Sequence, residues 1–227
     1  RISGFGFLSD LGFRISDFRR HVRLLWSCVV IAGGGGWTKP RNQLFFRAMK
    51  AKTTASNART PAAMGFAMPA EWDRHEATWL GWPHNPTDWP GKIPPVQWVY
   101  GEMVRKLAPG EIVHLLVDSP AQEKLARRIL QRAGASLDRV EFHQWATNRG
   151  WMRDSGPIFV RRGGNKPETA VVHFHFNAWA KYPDWQHDRL VPEHAAKLFG
   201  KRLFNAQFKG RDFVIEGGGI DVNGRGT

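Results

Sequence analysis

The most constraining feature of this sequence is a helix with clear start and stop signals between two strand-like runs. Residues 111–117 (EIVHLLV) form a short β-branched run that is typical of a buried strand. Ser119 supplies an N-cap oxygen, Gln122 completes a capping box three residues later, and Gly134 lies just past the end of the apolar pattern. A second strand-like run follows at residues 140–145. The segment predicts a βαβ unit, and with it a fold of the α/β class.

The remainder of the chain predicts a hairpin, a second helix and two further strands. The predicted elements are strands at 158–162 and 169–176 around a turn at 163–166, a helix at 193–199 ending at Gly200, and strands at 212–215 and 220–222. Asn223-Gly224 is a strong hairpin-turn signal, but the sequence ends at Thr227 before a return strand. We therefore expect the sequence to be truncated at its carboxyl end.

Composition excludes several classes of protein. No window approaches 18 consecutive apolar residues, so no membrane-spanning helix is expected. The single cysteine, Cys28, excludes an intrachain disulfide and a multi-cysteine zinc site, and its apolar neighbours make it a poor nucleophile. Of the net charge of +13, +9 falls in residues 1–63 and +4 in residues 64–227. Because the second part is only mildly basic, we expect no nucleic-acid partner and no membrane partner.

Residues 1–63 differ from the rest of the chain in composition and residue pattern. They open with near-copies of a short Gly/Phe/Ser pattern, and a basic stretch followed by an apolar run at 24–32 imitates a secretion signal without a clear cleavage site. Three methionines could begin the native chain: Met49, Met64 and Met68. We expect residues 1–63 to be a basic, low-complexity leader that is disordered or not native, residues 64–227 to fold, and the protein to be cytoplasmic.

A polar loop at 147–157 is the first candidate site. Its Trp151, Arg153 and Asp154 suit recognition of a planar cation, since a carboxylate accepts two N–H donors from a guanidinium and an indole offers its face to the charge. The alternative is a buried structural pair of Arg153 with Asp154 beside a core tryptophan.

Other candidate groups are weaker. Residues 176–182 could line a pocket or form an aromatic strand end, and Glu216, followed by three glycines, could face a ligand at a strand end or mark a plain turn. His173 and His175 share one face of a strand, as a metal pair would, but no third ligand is evident nearby. Ser155 lacks a nucleophile-elbow motif.

Four motifs follow one another in a recognisable order. They are MPAEW and HEATWLGWPHN within residues 68–85, WMRDSGP at 151–157, FNAW at 176–179 and EGGGIDVNGRGT at 216–227. In this order they resemble the agmatine deiminase family, also described as the Porphyromonas-type peptidylarginine deiminase family. The resemblance covers residues 68–227 and does not reach the leader.

The resemblance implies the pentein fold, a five-bladed α/β propeller of ββαβ modules around a central site, of which this chain would form only a part. It also implies a reaction that uses no metal and no organic cofactor. In the family, a cysteine thiolate attacks the guanidinium carbon of agmatine, ammonia leaves, and water hydrolyses the covalent intermediate. The product is N-carbamoylputrescine, in putrescine (polyamine) biosynthesis.

The resemblance also assigns roles to residues. By similarity, Asp154 would bind the substrate guanidinium and Glu216 would add a second carboxylate that faces the substrate. Trp151 would form one wall of the pocket. The family's nucleophilic cysteine and catalytic histidine lie beyond the Glu-Gly-Gly motif, and the sequence ends before either. We therefore expect this chain alone to be inactive on agmatine and its propeller to be open.

Two alternatives stay open. Peptidylarginine is the nearest alternative substrate, because recognition of a guanidinium by a carboxylate is shared. A non-catalytic module that binds cationic ligands or anionic polymers through the basic leader is the alternative from another class. The sequence leaves a homo-oligomer open.

Overall fold

The structure, a computed structural model, describes residues 60–225, and these form an α/β fold, as predicted. The first sheet contains strands β1 (Ala77–Gly81), β2 (Ile112–Val117) and β3 (Val140–Gln144) in that order, all parallel. Helices α1 (Ile93–Leu107) and α2 (Pro120–Arg132) connect them. The predicted βαβ unit is therefore confirmed, and β1 with α1 extends it by one further repeat.

The start and end of α2 follow the sequence signals. Ser119 Oγ accepts a hydrogen bond from the Gln122 backbone N–H at 3.3 Å, and Gly134 adopts a left-handed φ of 76° just past the helix. The Gln122 side chain differs from a standard capping box, since its oxygen accepts from the Asp118 N–H at 3.2 Å. The capping residues thus also fix the end of β2.

The first sheet is buried on both faces. One face packs against α1 and α2 through a cluster that includes Leu80, Val104 and Leu130. The other face, with Trp79 and Leu116, packs against the second half of the fold. Apart from the buried His114, every residue of β2 is apolar, which follows from this two-sided burial.

The second sheet has the predicted hairpin at its centre. After the short helix α3 (Met152–Ser155), strands β4 (Ile158–Arg162) and β5 (Glu168–His173) pair antiparallel, and α4 (Val191–Leu198) returns the chain to β6 (Arg202–Asn205), parallel to β5. This is one ββαβ module. The predicted second strand and second helix are confirmed with shifted ends, since β5 stops at His173 and α4 begins two residues earlier than expected.

The strands predicted nearest the carboxyl end are wrong in extent. Only Arg211–Asp212 (β8) forms a strand there, paired with Gln207–Phe208 (β7), and Val214 makes a single bridge to His175. Residues 220–222 form no strand in the described structure. The three glycines at 217–219 instead form a tight 3₁₀ turn, which ends the extended backbone.

One buried carboxylate ties the two sheets together. Asp188 is 0% exposed, and its oxygens accept hydrogen bonds from the backbone N–H groups of Asn148 and Arg149, both at 3.0 Å, and of Gly150 at 3.4 Å. Gly150 itself has a φ of 75° and lies so close to Gly81 that a Cβ on Gly81 would be 2.6 Å from the Gly150 Cα. Asp188 thereby fixes the loop that leads from the first sheet into α3.

Within residues 60–225, no helix is both long and apolar enough to cross a membrane. The predicted leader lies almost wholly outside the described residues, as does Cys28.

We expect Asp188→Asn to lower the free energy of unfolding by about 1.5–3 kcal/mol, because an amide nitrogen would face N–H groups that now donate to a charged acceptor. Urea unfolding followed by circular dichroism measures this. Asp138→Asn, at an exposed turn, is the matched control and should change stability by less than about 0.5 kcal/mol. Equal effects of the two substitutions would show that Asp188 does not fix the loop.

Candidate functional site

Asp154 lies on the one-turn helix α3. The backbone carbonyl just before this helix accepts three hydrogen bonds. The Trp151 carbonyl oxygen accepts from the backbone N–H groups of Asp154 and Ser155 and from the Ser155 hydroxyl, each at 3.0 Å. Ser155 is therefore a buried structural hydroxyl that helps to hold the turn. These bonds fix the backbone on which Trp151 and Asp154 stand.

The glycine turn brings Glu216 beside Asp154. A Cβ on Gly217 would lie 2.6 Å from the Arg153 carbonyl oxygen, and one on Gly218 would lie 3.3 Å from Asp154 Oδ1. The glycines thus bring the backbone of the turn close to α3, where the sequence had suggested an approach to a ligand. A side chain at Gly217 would push the turn away from α3. Both predicted carboxylates therefore belong to one half-buried cluster.

The two carboxylates influence each other electrostatically. The pKa of Asp154 is raised to about 6, mainly by burial and secondly by the negative charge of Glu216, while Arg153 acts in the opposite direction. Arg153 places its Nη1 atom 2.5 Å from Glu71 Oε1, so its closest ion pair is with Glu71. Arg153 therefore pairs with Glu71 and also acts electrostatically on Asp154, so it is not confined to a simple pair with Asp154.

Aromatic rings gather around Trp151, which precedes Asp154 by three residues. The Trp151 ring has its centroid 5.3 Å from that of Trp179 and 5.4 Å from that of Tyr182, and Phe176 lies 5.7 Å from Trp179. The structure therefore joins the first and second sequence clusters. Trp179 remains 44% exposed, which leaves ring surface for a ligand.

The backbone that carries Trp179 is strained. Ala178, Trp179 and Ala180 have φ values of 50°, 58° and 55°, the left-handed region that side chains other than glycine rarely adopt. Each such residue costs about 1–2 kcal/mol, and this kind of strain is concentrated at functional sites. The turn places the Trp179 ring against Trp151.

Sequence reasoning missed the charges behind the aromatic rings. Arg149 is buried, forms ion pairs with Asp88 and with Asp184 (Nη2 to Oδ1, 2.7 Å), and has its guanidinium carbon 4.5 Å from the Tyr182 ring centroid and 5.3 Å from that of Trp151. Asp88 and Asp184 are 61 and 35 residues away along the chain, so no local motif joins them to Arg149. The only local signal is the position of Arg149 next to Trp151.

The histidines predicted as a potential metal pair have separate partners. His173 Nδ1 lies 3.4 Å from Glu193, and His175 Nδ1 lies 3.7 Å from Asp212. Within residues 60–225, the histidines that gather with a third ligand-type side chain are His114 and His143, with Glu141.

Known proteins similar to this chain include agmatine deiminases. The agmatine deiminase of Ectopseudomonas mendocina is 35% identical over 173 residues, which are 74% of this chain and 44% of the relative. A solved agmatine deiminase of Enterococcus faecalis superposes with a TM-score of 0.64 at 28% identity, over 76% of this chain and 45% of that one. A C. jejuni agmatine deiminase with a cysteine-to-serine substitution and substrate bound has a TM-score of 0.58 at 27% identity, over 70% and 44%.

The chain spans less than half the length of the curated relatives it matches. The family described as Porphyromonas-type peptidyl-arginine deiminase matches residues 67–227, which carry all four sequence motifs. Since this match includes both carboxylates and the aromatic rings, the chain belongs to the Porphyromonas-type peptidyl-arginine deiminase family.

Proposed function

We propose that this chain is the substrate-binding part of an agmatine deiminase, which converts agmatine and water to N-carbamoylputrescine and ammonia. The observation that carries the proposal is the pairing of Asp154 with Glu216 beside the Trp151 ring. The names of the relatives support agmatine as the substrate. A role in putrescine synthesis and a cytoplasmic location belong to the same proposal.

The charge and shape of a guanidinium fit this arrangement. The group is planar and cationic, so Asp154 can accept two of its N–H donors while an aromatic face covers its plane. Glu216 supplies a second negative charge at the same place. Fixing the group is necessary because its delocalised charge makes the carbon a poor electrophile.

The reaction itself needs a thiolate and a proton-transferring group. The thiolate forms a bond to the guanidinium carbon, a proton moves to one nitrogen, and that nitrogen leaves as ammonia. Water then attacks the amidino carbon, the carbon–sulfur bond breaks, and the carbamoyl product leaves with the thiolate restored. By the family resemblance, the cysteine and histidine for these steps follow Glu216 in the complete protein.

The same proposal extends to the fold. We infer that β4, β5, α4 and β6 form one blade of a five-bladed pentein propeller and that β7 and β8 belong to the next. A chain that spans less than half of its relatives supplies only part of such a ring.

We expect agmatine to bind this chain most tightly above pH 6 and about tenfold more weakly for each pH unit below it. The pKa of Asp154 is raised to about 6, so protonation on acidification removes the negative charge that holds the cation. Calorimetric titration across this pH range measures the effect.

Two substitutions control this experiment. Asp154→Asn should bind agmatine weakly and without this pH dependence. Glu216→Gln should move the midpoint to lower pH, because the charge that helps to raise the Asp154 pKa is gone. A midpoint unchanged in Glu216→Gln would contradict the pairing of the two carboxylates. Tighter binding of a blocked arginine peptide than of agmatine would favour peptidylarginine as the substrate.

We expect the 227-residue chain to bind agmatine without releasing ammonia. Its one cysteine, Cys28, lies outside the matched residues 67–227, and no histidine follows His194. A coupled ammonia assay with agmatine checks this. Ammonia release that is abolished in Cys28→Ser would identify Cys28 as the nucleophile. It would contradict the proposal that this chain binds the substrate but lacks the nucleophile.

A further inference from the structure

Three side chains with metal-ligating atoms gather at the β3 edge of the first sheet. His114 on β2 pairs in register with Glu141 on β3, and His143 follows Glu141 by two residues, so all three lie on one face. Their ligand atoms all lie within 4.8 Å of one another. None of the three is a residue of the proposed agmatine site.

The distances match those within a tetrahedral metal site. His114 Nδ1 lies 3.0 Å from His143 Nε2 and 3.3 Å from Glu141 Oε2. A tetrahedral zinc ion bonded to nitrogen and oxygen ligands at its usual lengths separates those ligand atoms by about 3.3–3.5 Å. An ion could therefore replace the hydrogen bond between the two rings with little movement of the backbone.

The surroundings hold the rings in place and leave a path to solvent. His114 is 3% exposed and its ring contacts that of Trp79 at a tilt of 32°, with centroids 4.4 Å apart, and the His143 ring centroid lies 4.9 Å from that of Trp145. The Glu141 side chain is 53% exposed, so an ion can enter from that side. Burial lowers the pKa of both histidines to about 4, which leaves both imidazoles neutral near pH 7, with a lone pair to donate.

We propose that His114, Glu141 and His143 bind a divalent transition-metal ion, Zn²⁺, with a fourth position open to solvent. Two imidazoles and one carboxylate are a donor set that zinc accepts. The ion links β3, the edge strand of the described sheet, to β2, and its role is structural. The site is independent of the deiminase chemistry.

The test is a Zn²⁺ titration of the whole 227-residue chain near neutral pH, in competition with a chromophoric chelator. We expect one tight ion per chain and an affinity lower on the order of 100-fold in Glu141→Gln, which loses one of three ligands. Glu193→Gln is the matched control, because Glu193 is also exposed and lies 3.4 Å from a histidine, His173, outside the cluster. It should bind Zn²⁺ like the unsubstituted chain.

A second readout tests the geometry. Co²⁺ in place of Zn²⁺ should give the intense visible absorption of a tetrahedral site, and this absorption should be lost in His143→Ala. Zn²⁺ should also raise the Tm of the unsubstituted chain and of Glu193→Gln, and at the same Zn²⁺ concentration it should raise that of Glu141→Gln less. Equal Zn²⁺ affinity in the two glutamate variants, or no saturable binding, would overturn the proposal and make the cluster a hydrogen-bonded network. Should His143→Ala fail to fold, the comparison of the two glutamate variants decides.

Discussion

The candidate site depends on one buried carboxylate, Asp188, which accepts hydrogen bonds from the backbone. The donors are the N–H groups of residues 148–150. These bonds fix the path of the chain from β3 into α3. Burial raises its pKa to about 6, while the three N–H donors act in the opposite direction. The negative charge is tolerated because these donors replace water. Without that anchor, neither Trp151 nor Asp154 would have a defined position relative to the first sheet.

The candidate site also contains two energetically unfavourable features. Asp154 and Glu216 lie together, and three successive non-glycine residues at 178–180 hold left-handed backbone angles. Neither feature stabilises the fold by itself, since like charges repel and the backbone is strained. Under the proposed function, the charge of a bound cation would relieve the repulsion between the two carboxylates, whereas the backbone strain remains. The surrounding structure, with α3 on one side and the Trp151–Tyr182 contact on the other, must therefore enforce this arrangement in the free protein.

Sequence reasoning succeeded where the information is local. The Ser119 cap and Gly134 act within one helix, and the hairpin at 158–173 joins strands through a short turn, so each could be predicted from neighbouring residues. The candidate residues Trp151, Asp154 and Glu216 were selected from local clusters and from the family motifs, and the structure places the glycine turn after Glu216 against Asp154; their role stays a prediction. The strand predicted at 212–215 was wrong in extent because a strand needs a partner, and pairing there is limited to β7 and one bridge. The His114–Glu141–His143 cluster was missed because its members come from two strands, whereas His173 and His175 were noticed for being close in sequence.

The ion pairs of Arg149 show how this fold holds one guanidinium of its own near Trp151. Arg149 and the proposed substrate carry the same chemical group, and both would contact Trp151. Asp88 and Asp184 pair with Arg149, and its Nη1 also donates to Thr87 Oγ1 at 3.0 Å, so this guanidinium is held on several sides. The charge of Asp154, by contrast, is opposed only in part by Arg153, whose own closest carboxylate is Glu71. The fold thus satisfies its resident cation with one set of carboxylates, and Asp154 and Glu216 are the second pair, which the proposed function assigns to the substrate cation.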